Sequence, residues 1–291
     1  MQKTLLLFLV SFSITAQIKG VVKDSISGKP IPYVNIWVQN ENIGTTSEEN
    51  GEFTISSTDK NKNLIFSALG FEKKIMSASK SILVNLKPML YQLDEVMISE
   101  DRLETKTLEI GNTDNQIYQS FDNGPRIDTK FFPYRLAYKK TKFIQKIAIE
   151  TDSRIEEATI KIHFYTVDEK GYPSQEMLHK DFIVSVKKGT KKSLFDVSKF
   201  NLTMPKKGLF VGFEKLIIEK NKLEKTIIDS KTNKTQIQKT YFPFVMYNFV
   251  ERAFLYTFSG GKWNRQTKHN DSDSPNKIMV YEPAINLIIT N

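Results

Sequence analysis

The chain contains no cysteine in 291 residues. That absence excludes disulfides, thiolate metal sites, a cysteine nucleophile and a lipid-anchored N-terminal cysteine. Histidine is scarce as well, with His163, His179 and His269 the full set. His179 and His269 have no histidine or carboxylate at a zinc-like spacing. His163 has Lys161 and Tyr165 where a strand-borne site would place its next ligand. No segment beyond the N-terminus approaches the roughly 20 apolar residues that cross a bilayer. There is no G-x-S-x-G elbow. The glycine turns lack the following helix that a phosphate-binding loop needs. No cofactor and no metal are expected.

What is present is ordinary globular material, 40% hydrophobic and 26% charged, which argues against wholesale disorder. The length allows two compact domains that can bury cores without staples. Lys3, the apolar Leu5 to Val10 and the small-residue run Ser11 to Ala16 read as a secretory signal cleaved after Ala16, although Ile14 is bulkier than the pattern prefers. The mature chain is therefore expected outside the inner membrane, in the periplasm, at the cell surface or secreted, and not membrane-spanning.

The formal charge is +9 at pH 7, which by itself admits nucleic acid, anionic lipid or acidic polysaccharide as partners. The lysines, however, gather at turns: Lys187, Lys188, Lys191 and Lys192 in one, Lys206 and Lys207 in another. Lysines there solvate hairpin ends and protect sheet edges. Export counts further against nucleic acid.

From residue 17 to about 90 the hydrophobic period is two, the mark of strands. Val34, Ile36 and Val38 point one way, and Tyr33, Asn35, Trp37 and Gln39 the other. Turn signals at Ser27-Gly28-Lys29-Pro30, Asn42-Ile43-Gly44 and Glu49-Asn50-Gly51 separate the runs. Gly51 closes a hairpin that puts Phe53 and Ile55 on the core face, and Leu64, Phe66 and Ala68 alternate inward before Gly70.

Three blocks, GVVKDSISGKPIPYVNIWV (20–38), NIGTTSEENGEFTI (42–55) and LIFSALGFEKK (64–74), together resemble the carboxypeptidase-like regulatory domain of Bacteroidetes-type surface proteins. The resemblance implies a seven-stranded, transthyretin-like β-sandwich. In larger relatives this domain accompanies a zinc carboxypeptidase or precedes an outer-membrane transporter. The H-x-x-E pair of the former is missing, since Thr166, Phe182 and Ser272 stand at the would-be glutamate positions. The remaining chain is too short for a plug and barrel. LDEVMI (93–98) resembles the segment that follows this domain in the transporters, and reads here as a strand entering a linker.

Residues 91–115 are expected as that linker, polar from Ser99 to Asn115 around Gly111. Beyond it, residues 116–291 return to strand patterning. Ile147 and Ile149 share a face, as do Phe182, Val184 and Val186, and Leu209, Val211 and Phe213. The clearest alternation has Ala158, Ile160, Ile162 and Phe164 inward, with Thr159, Lys161, His163 and Tyr165 outward. The whole is thus expected to be all-β, a seven-stranded sandwich followed by a larger jelly-roll-like β-sandwich. The blocks IKIHFYTVDEKGYPSQEML (160–178), MPKKGLFVGFEKL (204–216) and FLYTFSGGKWNRQ (254–266) resemble the second domain of Bacteroidetes carboxypeptidase-like proteins. Glu219 to Thr240 reads as a long hairpin arm or loop.

No catalytic set assembles in the sequence. His163 reads as an exposed bystander on a polar strand face. Glu214 reads as a structural carboxylate, with no second acid in a comparable setting. Asp271, Asp273 and Asn276 form an oxygen-rich loop without the spacing of a calcium loop. Trp37 and Trp263 are the candidate ligand platforms, set against core or inter-domain packing. The expectation is a non-enzymatic, exported binding or scaffolding module of the cell envelope, whose partner is a polysaccharide or an outer-membrane protein. The alternatives are a hydrolase whose site assembles in space within the second domain, and an accessory or regulator of an outer-membrane transporter.

Overall fold

Alternating apolar side chains drive this chain into strands, and a computed structural model shows how the strands pair. It describes residues 17–56, 62–78, 81–89, 106–112, 117–118, 120, 124–228, 235–266 and 278–291. The signal-like stretch 1–16, Leu93–Ile98, most of the linker, His269 and the Asp271, Asp273 and Asn276 loop lie outside them.

Seven strands come first: β1 (Gln17–Asp24), β2 (Asn35–Val38), β3 (Gly44–Thr46), β4 (Glu52–Ser56), β5 (Asn63–Ser67), β6 (Lys74–Ser77) and β7 (Ser81–Leu86). They form two sheets, ordered β4-β1-β7 and β3-β2-β5-β6, the seven-stranded sandwich that the family resemblance implies. Val34, Ile36, Val38, Leu64 and Phe66 are fully buried between them. Phe53 meets Phe66 edge-on at 5.6 Å, joining one sheet to the other. Burying each such side chain contributes about 1.5–3 kcal/mol.

The next strands are β8 (Thr107–Ile110), β9 (Ile117–Tyr118), β10 (Ile127–Phe132), β11 (Phe143–Ser153), β12 (Ala158–Val167) and β13 (Pro173–Glu176). They are followed by β14 (Phe182–Val186), β15 (Gly189–Asp196), β16 (Leu209–Lys215), β17 (Lys222–Ile228), β18 (Thr235–Tyr241) and β19 (Phe244–Val245). Last come β20 (Tyr247–Arg252), β21 (Leu255–Ser259), β22 (Lys262–Gln266), β23 (Ile278–Pro283) and β24 (Ile285–Thr290). A large sheet runs β13-β12-β16-β10-β21-β22, with β14 also on β12, and faces a second running β15-β11-β24-β8, with β19 also on β11. Ile147, Ile149, Leu287 and Ile289 from one pack with Ile160, Ile162, Phe164, Val211 and Phe213 from the other. Strands β9, β20 and β23 form a small third sheet. Strands β17 and β18 pair along their whole length as the expected hairpin arm.

Two local expectations need correction. Part of the linker, Thr107–Ile110, is strand β8 paired to β24, because Ile110 is apolar and completes the core at that edge. The lysine-rich turn is confined to Lys187 and Lys188, since Gly189 already begins β15, which pairs with β11.

The two sandwiches touch through specific contacts. Ile217 N donates to Thr46 Oγ1 at 3.1 Å and Glu219 N to Glu48 Oε1 at 2.9 Å. The Gly260-Gly261 turn of the β21–β22 hairpin fits against the first sandwich. Asn40 N donates to Gly260 O at 3.3 Å, and Lys73 Nζ to Gly261 O at 3.0 Å. Gly261 has φ +83°, and a Cβ there would lie 2.3 Å from Ile65 Cδ1. Gly261→Val is therefore expected to cost roughly 2–3 kcal/mol, read as a lower urea midpoint.

Candidate functional site

The outward row of β12 is polar by sequence, yet the structure buries it. Lys161 is 3% exposed and His163 9%, because the first sandwich lies over this face. His163 is thus no exposed bystander: sequence periodicity separates the two faces of a strand but does not tell which second layer covers the outer one. Register places Lys161 opposite Glu214 and His163 opposite Gly212 of β16. The His163 ring bonds Glu176 Oε2 through Nδ1 at 2.8 Å and Glu214 Oε2 through Nε2 at 2.9 Å. Lys161 Nζ lies 3.2 Å from Asp181 Oδ2 and donates to Tyr33 O at 2.8 Å. Tyr33 holds a left-handed backbone, φ +54°, a conformation that costs of order 1 kcal/mol in a non-glycine residue and that accompanies the carbonyl's contact with the lysine.

The charges in this cluster compensate one another. Burial alone would lower the His163 pKa, but the hydrogen bonds and charges of Glu176 and Glu214 outweigh it and lift it from 6.5 to about 9. Burial would raise Glu214, yet the Lys161 charge and the His163 hydrogen bond hold it below the usual carboxylate value. Lys161 is raised, the Glu214 and Asp181 charges overcoming its desolvation. Glu214 thus has acidic company, Glu176 and Asp181, that the sequence reading missed. With both ring nitrogens occupied by carboxylates, His163 has no lone pair for a metal. Among the described residues no group of three His, Asp or Glu side chains converges on a metal position. The cluster is an inter-domain brace.

Both tryptophans belong to the same seam. Trp37 is 2% exposed and meets Phe258 edge-on at 6.2 Å. It offers no solvent-facing platform, because the second sandwich covers its face. Trp263 is half-buried, 5.2 Å from both Phe258 and Tyr165, and Tyr165 stacks on His163. His179 is exposed in a turn.

A separate cleft opens elsewhere in the second sandwich. Strand β10 pairs with β21 only at Ile127 and Asp128, and beyond them the two strands splay. The gap is a cavity of about 430 Å³, within the range of small-ligand sites. One wall is aromatic: Phe131 lies 4.9 Å from Phe210 and 5.8 Å from Phe254, and Phe254 5.3 Å from Tyr256. The other wall carries Lys130, Glu282, Arg252 and Asn112, with Arg135 exposed at the rim. Arg252 grips Glu282 with two bonds of 2.8 Å and Asn112 Oδ1 with one of 3.0 Å. Burial, opposed by the Glu282 charge and aided by that of Arg252, lowers the Lys130 pKa to about 8. Sequence reading overlooked this set. The available signal was Lys130 in line with Phe132 on an inward strand face.

Residues 18–98 match the model of the CarboxypepD_reg-like domain, a non-catalytic domain family. No curated protein matches the sequence. Among solved structures, a DUF3823 family protein from Bacteroides ovatus ATCC 8483 is similar at 8% identity and a TM-score of 0.20, covering 79% of this chain and 95% of that one. Infectious bursal virus derived T=1 particles are similar at 9% identity and a TM-score of 0.23, over 94% of this chain and 58% of theirs. The infectious bursal disease virus Gx strain gives 9% and 0.23, over 89% and 57%. Scores of this size do not establish a common fold.

The brace makes a pH prediction. The folded-state pKa of His163 lies above its unfolded value, so its stabilisation is whole below about pH 6.5 and is lost as pH rises toward 9. The unfolding free energy that the parent has over His163→Gln in urea is expected to shrink by on the order of 3 kcal/mol between pH 6 and pH 9.5, the comparison cancelling other groups that titrate in that range.

Proposed function

We propose that this chain is a non-enzymatic binding module of the cell envelope, exported through its N-terminal segment, that holds part of a polysaccharide in the cleft between β10 and β21. The observation that carries the reading is the cleft itself, about 430 Å³ lined by both aromatic side chains and fixed polar ones. Sugar rings are recognised by this division, their C–H faces on aromatic side chains and their oxygens on anchored polar groups. The cleft's carboxylate, Glu282, is locked to Arg252, which suits recognition better than proton transfer. The His163 cluster has the residue types of an acid–base site, but the first sandwich closes over it. In this reading the regulatory-like domain supports the binding domain.

Retention of the purified protein on immobilised envelope polysaccharides tests the proposal. Phe254→Ala is expected to weaken retention by roughly tenfold, the worth of one aromatic stacking contact, and, because the ring also packs on Phe131 and Tyr256, to lower the unfolding free energy by about 1–3 kcal/mol while the protein stays folded. Equal retention of the variant and the parent, or no retention of either, overturns the reading. Fractionation of the producing cells tests export.

A further inference from the structure

Among the described residues three lysines are buried, Lys130, Lys161 and Lys215, and the first two differ in their surroundings. Lys161 is surrounded by acceptors: Asp181, the Tyr33 carbonyl and the Glu214 charge. Lys130, 2% exposed, lies 3.6 Å from Glu282 Oε2, beyond hydrogen-bond length, and its Nζ has no hydrogen-bond partner. Glu282 is already committed, since each of its oxygens accepts a 2.8 Å bond from Arg252. Two cations therefore share one carboxylate on this wall, and Arg135 adds a third positive charge at the rim. A buried ammonium short of acceptors is costly. Burial and the Arg252 charge lower the Lys130 pKa to about 8, against the opposing pull of Glu282. The half-buried Phe131 and Phe254 also line the cleft.

From this imbalance we propose that the cleft takes a ring-bearing carboxylate, its ring against Phe131 and Phe254 and its anionic oxygens toward the Lys130–Arg252 edge. The inference rests on the binding reading above and specifies the chemistry of what is bound. A carboxylate supplies both the acceptors that Lys130 lacks and the negative charge that the wall lacks, which a neutral hydroxyl or ester does not. Two sources share this chemistry, a hexuronate unit of an acidic polysaccharide and a free aromatic acid.

Calorimetric titration of the full chain at low ionic strength and pH 7 tests the inference, with trigalacturonate, its fully methyl-esterified form and benzoate as probes. The acid trimer is expected to bind at least about tenfold more tightly than the ester, the worth of one hydrogen bond to a charged group. Arg135→Gln and Lys130→Met are each expected to weaken the acid by about that factor and to leave the ester unchanged. Arg135 is exposed, so its variant keeps the test valid if Lys130→Met does not fold. Binding of benzoate with a silent trimer supports the shared chemistry and assigns the source to a free aromatic acid. Equal binding of acid and ester overturns the inference while leaving the polysaccharide reading standing. Absence of binding by both the acid trimer and benzoate at millimolar concentration overturns it too, and retention of the parent on neutral polysaccharide then shows whether the broader reading survives.

Discussion

The architecture depends on charge compensation beneath the first sandwich. Lys161 and His163 stand on a face that must lose its water when the two sandwiches meet, a loss that unpaired charges would not tolerate. Each cation there meets a carboxylate: His163 has one on either ring nitrogen, and Lys161 has Asp181 with Glu214 nearby. These carboxylates all belong to the second sandwich; the first covers them and contributes the Tyr33 carbonyl, which accepts from Lys161. Removing one partner of such a set leaves a buried charge stranded, so the first sandwich can cover this face only while the pairs are intact.

The brace also reaches the cleft. Strand β21 borders its aromatic wall through Leu255 and Tyr256, and the same strand ends in the Gly260-Gly261 turn held by Asn40 and Lys73 of the first sandwich. Phe258 and Trp263 of that hairpin sit in the inter-domain seam. The first sandwich thus fixes one end of the β21–β22 hairpin, while the pairing of Ile127 and Asp128 with β21 fixes where the strands begin to part. A domain of a non-catalytic family in this way anchors a hairpin that borders the cleft without lining it.

Much of the fold was legible because period two is a strong signal wherever one face meets a core. Val34, Ile36 and Val38, or Ile160, Ile162 and Phe164, announce their strands without help. The site was less legible for a physical reason. Alternation says that His163 and Lys161 share a face opposite the core, but solvent and a second domain are equivalent alternatives for that face until long-range contacts are known. Glu176, on β13, pairs back on β12, and Asp181 lies in the following loop; where those turns return the chain is not stated by the sequence. Lys130 and Glu282 are more than 150 positions apart. No local pattern brings them together, although a lysine on an inward strand face was itself a clue.

Strand β24 lies between β11 and β8, pairing residues near position 290 with residues near position 107. Its neighbours therefore have to wait for a partner that is remote along the chain, and closing so long a loop is entropically slow. The first sandwich, whose strands all fall within residues 17–86, has no such delay. Loop-closure entropy alone thus favours the early sandwich forming first, with Tyr33 and Trp37 in place as a surface against which the late one can condense.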